Sequence, residues 1–197
     1  MEMAIERHAV PRDEIDMIEL NISCPNVKAG GMAFGTNPEM AYAVTRTARE
    51  QTELPLIVKL SPNVTDIAAI ARQVERAGAD AVSLINTIAA MAVDIDTRRP
   101  KLGNTVGGLS GPAIKPIALR MVWETVRSTK IPVVGIGGIL NTSDALEFLI
   151  VGAKAVQVGT ANLVNPKTAH DIVEGLERHL LAHRLADIEE IIGSLEG

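Results

Sequence analysis

Five times in succession along this chain, a short apolar run rich in β-branched residues is followed by a turn and then by a longer segment of helical period. Residues 17–22 precede 37–51, 56–60 precede 66–77, and 81–85 precede, across a long loop, 112–128. The runs 132–136 and 155–158 precede 143–151 and 166–181. Strand–helix units in series predict a parallel sheet with helical crossovers. The strand runs are near-continuously apolar, as strands covered on both faces should be. Helix starts are marked by capping oxygens at Thr65-Asp66 and at Thr142-Ser143-Asp144, and by Asn165 before Pro166; Gly78 and Gly152 mark stops.

A parallel α/β chain forms either an open doubly wound sheet or a closed barrel. The chemically suggestive residues fall at the ends of successive strands: Asn21 to Cys24, Lys59, Asn86-Thr87, Gly137-Gly138 and Gly159-Thr160. A barrel gathers all such ends around one mouth, whereas an open sheet focuses ligands at one switch point. The order therefore favours the barrel. The long segment 87–110, with Asp94, Asp96, Arg98 and Arg99, is expected to be an ordered excursion, with a small hairpin suggested by the alternation at 92–95.

Length and composition bound the function. At 197 residues one domain is expected, and 47% hydrophobic with 22% charged residues is globular composition. A net charge of -5 and 2% aromatic residues leave neither an electrostatic footprint nor a stacking platform for nucleic acid. The start carries no signal-peptide core and no run reaches the roughly 18 apolar residues of a membrane span, so a soluble cytoplasmic protein is expected.

The single cysteine, Cys24, excludes an internal disulfide and an iron–sulfur cluster held by this chain's own thiolates. It stands in the polar turn Asn21-Ile22-Ser23-Cys24-Pro25-Asn26 at a strand end, a setting that suits a reactive thiol better than a buried inert one.

Gly135-Ile136-Gly137-Gly138 and Val158-Gly159-Thr160 are either ordinary strand-to-helix turns or, as a pair after the last two strands, a backbone cradle for phosphate. They do not form the G-x-G-x-x-G dinucleotide fingerprint. Lys59 closes an apolar run, either snorkelling to the surface or serving as a fixed positive charge at the barrel mouth. Asn21 and Asn86 end apolar strands with amides that both donate and accept, as strand caps or as recognition groups for a small heterocycle. His8, His170, His179 and His183 lack metal-ligand spacing, so no metal site is expected. Met121 and Trp123 are expected in the core.

Taken together, the strings N-I-S-C-P-N-V-K-A-G-G-M-A-F-G at 21–35, V-K-L-S-P-N at 58–63, I-N-T-I at 85–88, G-G-L-S-G-P-A-I-K-P-I-A-L-R at 107–120, G-I-G-G-I at 135–139 and V-G-T-A-N at 158–162 resemble the dihydroorotate dehydrogenase family, and in particular its NAD-linked class 1B catalytic subunits. The continuation Gly30-Gly31-Met32-Ala33-Phe34-Gly35 separates the chain from fumarate-dependent class 1A members, and Asn26 separates it from the related domain of dihydropyrimidine dehydrogenase, which carries histidine there. A flavin-binding, non-catalytic relative is the reading from another class.

The resemblance implies an eight-stranded TIM barrel represented by its last five βα units, beginning just before the fourth strand, and a reaction oxidising dihydroorotate to orotate. Cys24 would be the general base. Asn21, Asn86 and Thr87 would bind the pyrimidine. FMN would meet Asn21, Lys59, Ile85, Gly111, Gly137, Gly138, Gly159 and Thr160. An electron-transfer subunit carrying FAD and a 2Fe-2S cluster is implied as partner, with a homodimer inside a heterotetramer. The early strands, with a substrate lysine and an asparagine-rich loop, would lie outside this sequence, since a whole barrel needs about 250 residues.

Overall fold

The computed structural model describes residues 15–23 and 31–196. In chain order the strands are β1 (Ile18–Asn21), β2 (Leu56–Lys59), β3 (Ala81–Leu84), β4 (Ile88–Ala90), β5 (Val93–Asp94), β6 (Arg99–Pro100), β7 (Gly107–Leu109), β8 (Val133–Ile136) and β9 (Ala155–Gln157). The helices are α1 (Gly31–Thr36), α2 (Pro38–Arg49), α3 (Ile67–Arg76), α4 (Lys115–Val126), α5 (Thr142–Ile150), α6 (Thr160–Val164) and α7 (Thr168–His183).

Five strands form one sheet in the order β1-β2-β3-β8-β9, every pair parallel. The order never reverses, so the sheet winds in one direction as a barrel wall does, and no doubly wound switch point exists in it. The sheet is curved enough for its two ends to meet across the interior: Gln157 Nε2 on β9 donates to Glu19 Oε2 on β1 at 2.6 Å.

Alternation sorts the strand side chains into two faces. Leu56, Val58, Val82, Leu84 and Val133 join the buried core. The helices bring matching apolar stripes, Ile67, Ile70, Ala71 and Val74 on α3 and Ala118, Met121 and Val122 on α4, at the i, i+3, i+4 spacing of one helix face. The opposite row, read through the register Asn21–Lys59–Ser83, is polar toward its C-terminal end. The strands are thus less uniformly apolar than expected, because that inner row holds the site.

Caps explain most boundaries. Asn37 Oδ1 accepts from the N–H groups of Glu39 and Met40 ahead of α2, and Asp66 Oδ1 accepts from Ala69 N ahead of α3. Gly78 and Gly152 take φ of +100° and +108° just past α3 and α5, as helix stops require. Two expectations are corrected. The cap of α5 is Asn141, whose Oδ1 accepts from Asp144 N, rather than an oxygen from 142–144. The last long helix starts at Thr168, because Asn165 Oδ1 accepts from Lys167 N and holds Pro166 in a preceding turn.

The excursion after β3 is ordered as two antiparallel pairs, β4 with β7 and β5 with β6. Asp94 Oδ1 fixes the tight turn between β5 and β6 by accepting from Asp96 N, Thr97 N and Thr97 Oγ1. The Thr97 bonds hold its carboxyl below the usual carboxylate range. Trp123 is not in the core: the buried stripe of α4 leaves it 38% exposed, with the Arg127 guanidinium 4.9 Å from its ring centre. Met121 is buried as expected. Among the described residues no helix is long and apolar enough to cross a membrane.

Candidate functional site

The C-terminal ends of four of the five parallel strands, β2, β3, β8 and β9, converge on one cavity of about 160 Å³. Its lining includes Lys59, Ile85, Asn86, Thr87, Gly111, Gly137, Gly138, Gly159 and Thr160, every one of them singled out from the sequence. Ile114, Ile136, Ile139 and Leu140 supply an apolar floor, and Ser110 and Gln157 add polar groups. This is the composition expected of a small-molecule site, mostly apolar with a few convergent polar groups.

One end of the cavity is built from side chains. Asn86 Nδ2 donates to Ser23 Oγ at 2.7 Å and to Asn21 Oδ1 at 3.2 Å, and Ser23 Oγ donates to Asn21 Oδ1 at 3.1 Å. Asn86 Oδ1 accepts from Thr87 N at 2.7 Å. The ends of β1 and β3 are thereby tied together over Lys59, and the backbone of Asn86 is held by its N–H on Leu60 O at 3.0 Å. Asn21 itself does not line the cavity; it reaches the site through Asn86 and Ser23. Asn63, from the loop after β2, donates to Thr87 O at 3.1 Å and accepts from Ala89 N at 2.8 Å, which fixes the start of the excursion.

Lys59 points inward. Its Nζ lies 3.1 Å from Glu19 Oε1, and the two side chains are 19% and 28% exposed. The surface reading of this lysine is therefore set aside: burial of an ammonium at a strand end is offset by a carboxylate beside it.

The other end is built from backbone. Gly111 has φ +89° and begins the 3₁₀ turn Pro112–Ile114 that leads into α4. Gly138 has φ +77°, and Gly159 immediately precedes α6, whose first turn leaves N–H groups without helical acceptors. Thr160 Oγ1 donates to Ser110 Oγ at 2.8 Å, which pins the end of the excursion to the last turn. An added Cβ at Gly159 would meet no atom within 4 Å. Among the described residues nothing occupies that space. The backbone there is open to an approaching group, and the turns at Gly111, Gly138 and Gly159 fit a phosphate-bearing one.

Behind the Gly137-Gly138 turn, Lys115 Nζ donates to Asp144 Oδ1 at 2.6 Å and to Glu147 Oε1 at 2.7 Å. These bonds raise the Lys115 ammonium above its ordinary range against the opposing effect of burial. Burial pushes the Asp144 carboxyl up, but the Lys115 bond and the N–H groups of Leu140 and Asn141 outweigh it and hold the group below the usual range.

Cys24 lies outside the described residues; its neighbour Ser23 is the last described residue before it. Sequence reasoning missed Glu19, Ser23, Asn63, Ser110 and Gln157. Glu19 and Gln157 carried a usable signal, since each is a polar residue inside an otherwise apolar strand run, the same argument that singled out Lys59.

Comparison with known proteins agrees with this geometry. The family model for dihydroorotate dehydrogenase matches residues 6–180. The catalytic subunit of dihydroorotate dehydrogenase B (NAD(+)) from Trichlorobacter lovleyi is 57% identical over 196 residues, covering 100% of this chain and 64% of that one. Its counterpart from Geobacter sulfurreducens is 58% identical over 183 residues, covering 93% and 60%. The chain thus spans less than two thirds of the length of these relatives. The crystal structure of dihydroorotate dehydrogenase from Eimeria tenella in complex with ferulenol superposes with a TM-score of 0.75 at 23% identity, over 91% of this chain and 54% of that one. That likeness shows the barrel fold, and the five-stranded sheet is accordingly a partial (β/α)8 barrel. By the family match and these identities together, the chain belongs to the dihydroorotate dehydrogenase family.

Proposed function

We propose that this chain forms the flavin-facing part of a dihydroorotate dehydrogenase that oxidises dihydroorotate to orotate in pyrimidine biosynthesis. The observation that carries the reading is the single cavity on which Lys59, Ile85, Asn86, Thr87 and the turns at Gly111, Gly137-Gly138 and Gly159-Thr160 converge. FMN bound there would supply the hydride acceptor. Gly138, Gly159 and Thr160 would hold its phosphate end, Ile85 would lie against its ring, and the Lys59 ammonium would favour negative charge at the ring edge.

Asn86 and Thr87 would orient the pyrimidine directly and Asn21 through its bond to Asn86, with Ser23 bracing both asparagines. Cys24 as thiolate takes the proton from C5 of dihydroorotate while hydride leaves C6, so one C–H electron pair forms the new C=C bond and the other departs with the hydride.

The names of the relatives favour NAD as the final acceptor. On this reading electrons pass to NAD through a partner subunit carrying FAD and a 2Fe-2S centre, in a heterotetramer built on a catalytic homodimer; the one cysteine of these 197 residues fits a cluster held elsewhere. The assembly is read as cytoplasmic.

The test is Cys24→Ala in the complete polypeptide. Anaerobic reduction of bound FMN by dihydroorotate should slow by about 10² to 10⁴, the usual cost of losing a general base, while flavin content stays at the parent level. Undiminished reduction removes Cys24 from the mechanism, and absence of bound flavin from the parent protein removes the whole reading.

A further inference from the structure

Glu19 does not itself line the cavity, yet it holds two residues that do. One carboxylate oxygen lies 3.1 Å from Lys59 Nζ, and the other accepts from Gln157 Nε2 at 2.6 Å. Lys59 and Gln157 both line the cavity, one on the strand next to Glu19 and the other on the far end strand of the sheet. A carboxylate only accepts, so Gln157 must present its Nε2–H to Glu19 and its Oε1 elsewhere. Among the described residues Glu19 is the one ion-pair partner of Lys59. The next residue of the inner row, Ser83, is neutral, and its buried Oγ has no hydrogen-bond partner among the described residues.

Two consequences follow from elementary electrostatics. The Lys59 ammonium is confined by a charge-assisted bond to one position at the cavity wall. Its field in the cavity is partly cancelled by the carboxylate 3.1 Å from it, the two side chains being 19% and 28% exposed.

We propose that Glu19 is a positioning residue for the flavin site, fixing Lys59 and Gln157 from opposite ends of the sheet and lowering the preference of the site for reduced over oxidised flavin. This rests on the FMN reading above. A site with an unpaired lysine would bind the reduced, anionic ring more tightly than this one does, so Glu19 keeps the bound flavin easier to reoxidise by a downstream acceptor.

The experiment uses the complete polypeptide with FMN as the probe. Affinities for oxidised and reduced FMN are measured by anaerobic titration, and the midpoint potential by dye equilibration, in the parent, Glu19→Gln, Lys59→Met and the double variant. Glu19→Gln is expected to raise the ratio of reduced to oxidised affinity about tenfold, a positive shift of roughly 30 mV for a two-electron couple. In the Lys59→Met background the same substitution should produce less than half of that shift, because the effect runs through the lysine. An unchanged potential in Glu19→Gln, or an equal shift with and without Lys59, overturns the proposal while leaving the flavin reading intact. A parent protein that binds no FMN overturns both. Should Glu19→Gln alone fail to fold, the cause under this proposal is an uncompensated inward lysine, and the double variant must restore folding; failure to restore it counts against the proposal.

Discussion

At Gly138 the backbone has φ +77°, and an added Cβ would fall 2.8 Å from Lys115 Cβ and 2.9 Å from both Gly111 O and Lys115 N. At Gly159, one strand further on, it would meet no atom within 4 Å. Both glycines close strands of the same sheet and both line the same cavity. The first is glycine because the folded chain leaves no room and demands left-handed backbone. The second meets none of the described residues, which leaves its backbone open to approach from outside. A glycine-rich turn in sequence therefore mixes two kinds of requirement, stability and ligand approach, that only the surroundings of each residue separate.

Gly138→Ala should bring the largest effect, a destabilisation of about 2–5 kcal/mol from left-handed strain plus overpacking against backbone, read from urea denaturation. A loss below about 1 kcal/mol, the ordinary scale of a point substitution, would mean that the turn relaxes and the contrast is weaker than the geometry implies.

Lys115→Met comes next, since that lysine braces the Gly138 turn and neutralises Asp144 and Glu147. We expect about 1–3 kcal/mol at neutral pH from leaving Asp144 without its cation. The pH dependence has a definite sign. Asp144 has a folded value below its unfolded value of about 3.9, so its stabilisation is present above that pH and is lost as the pH falls through the folded value. The gap between parent and variant should narrow on acidification from about pH 5 to 3, and a gap that widens would reverse the assignment.

Gly159→Ala should have the smallest effect on stability, within about 0.5 kcal/mol, because the methyl enters open space. Its effect should appear instead in FMN titration, as affinity reduced about tenfold or more. Equal FMN affinity in parent and variant would place the phosphate elsewhere and dissolve the distinction between the two turns.

The strand–helix order was legible because each unit carries its own period and punctuation: Asp66 and Gly78 bracket α3 where the sequence placed them. The choice of barrel over open sheet was legible from strand ends alone, and the sequential order of the five strands agrees with it. Less visible was anything decided by phase or by distance along the chain. Trp123 is large and apolar enough to suggest a core position, but the stripe through Ala118, Met121, Val122 and Thr125 turns it outward. The five residues of α6 are too few to show a period. Cavity-lining positions such as Lys59 and Asn86 announced themselves as polar residues ending apolar runs, whereas Glu19 and Gln157 carried the same signal without a partner in sight, since neither sits near the other in sequence.

The Glu19–Gln157 bond joins positions 138 residues apart. The ladder contacts of the sheet, such as Val134 with Ala155, join units that are neighbours along the chain. Short loops close at low entropic cost and early, long ones at higher cost and late. These five units can therefore be laid down one by one as the chain emerges, while the polar bridge across their interior must wait for β9. In time as well as in space, the bridge across this cavity depends on the meeting of β1 with β9.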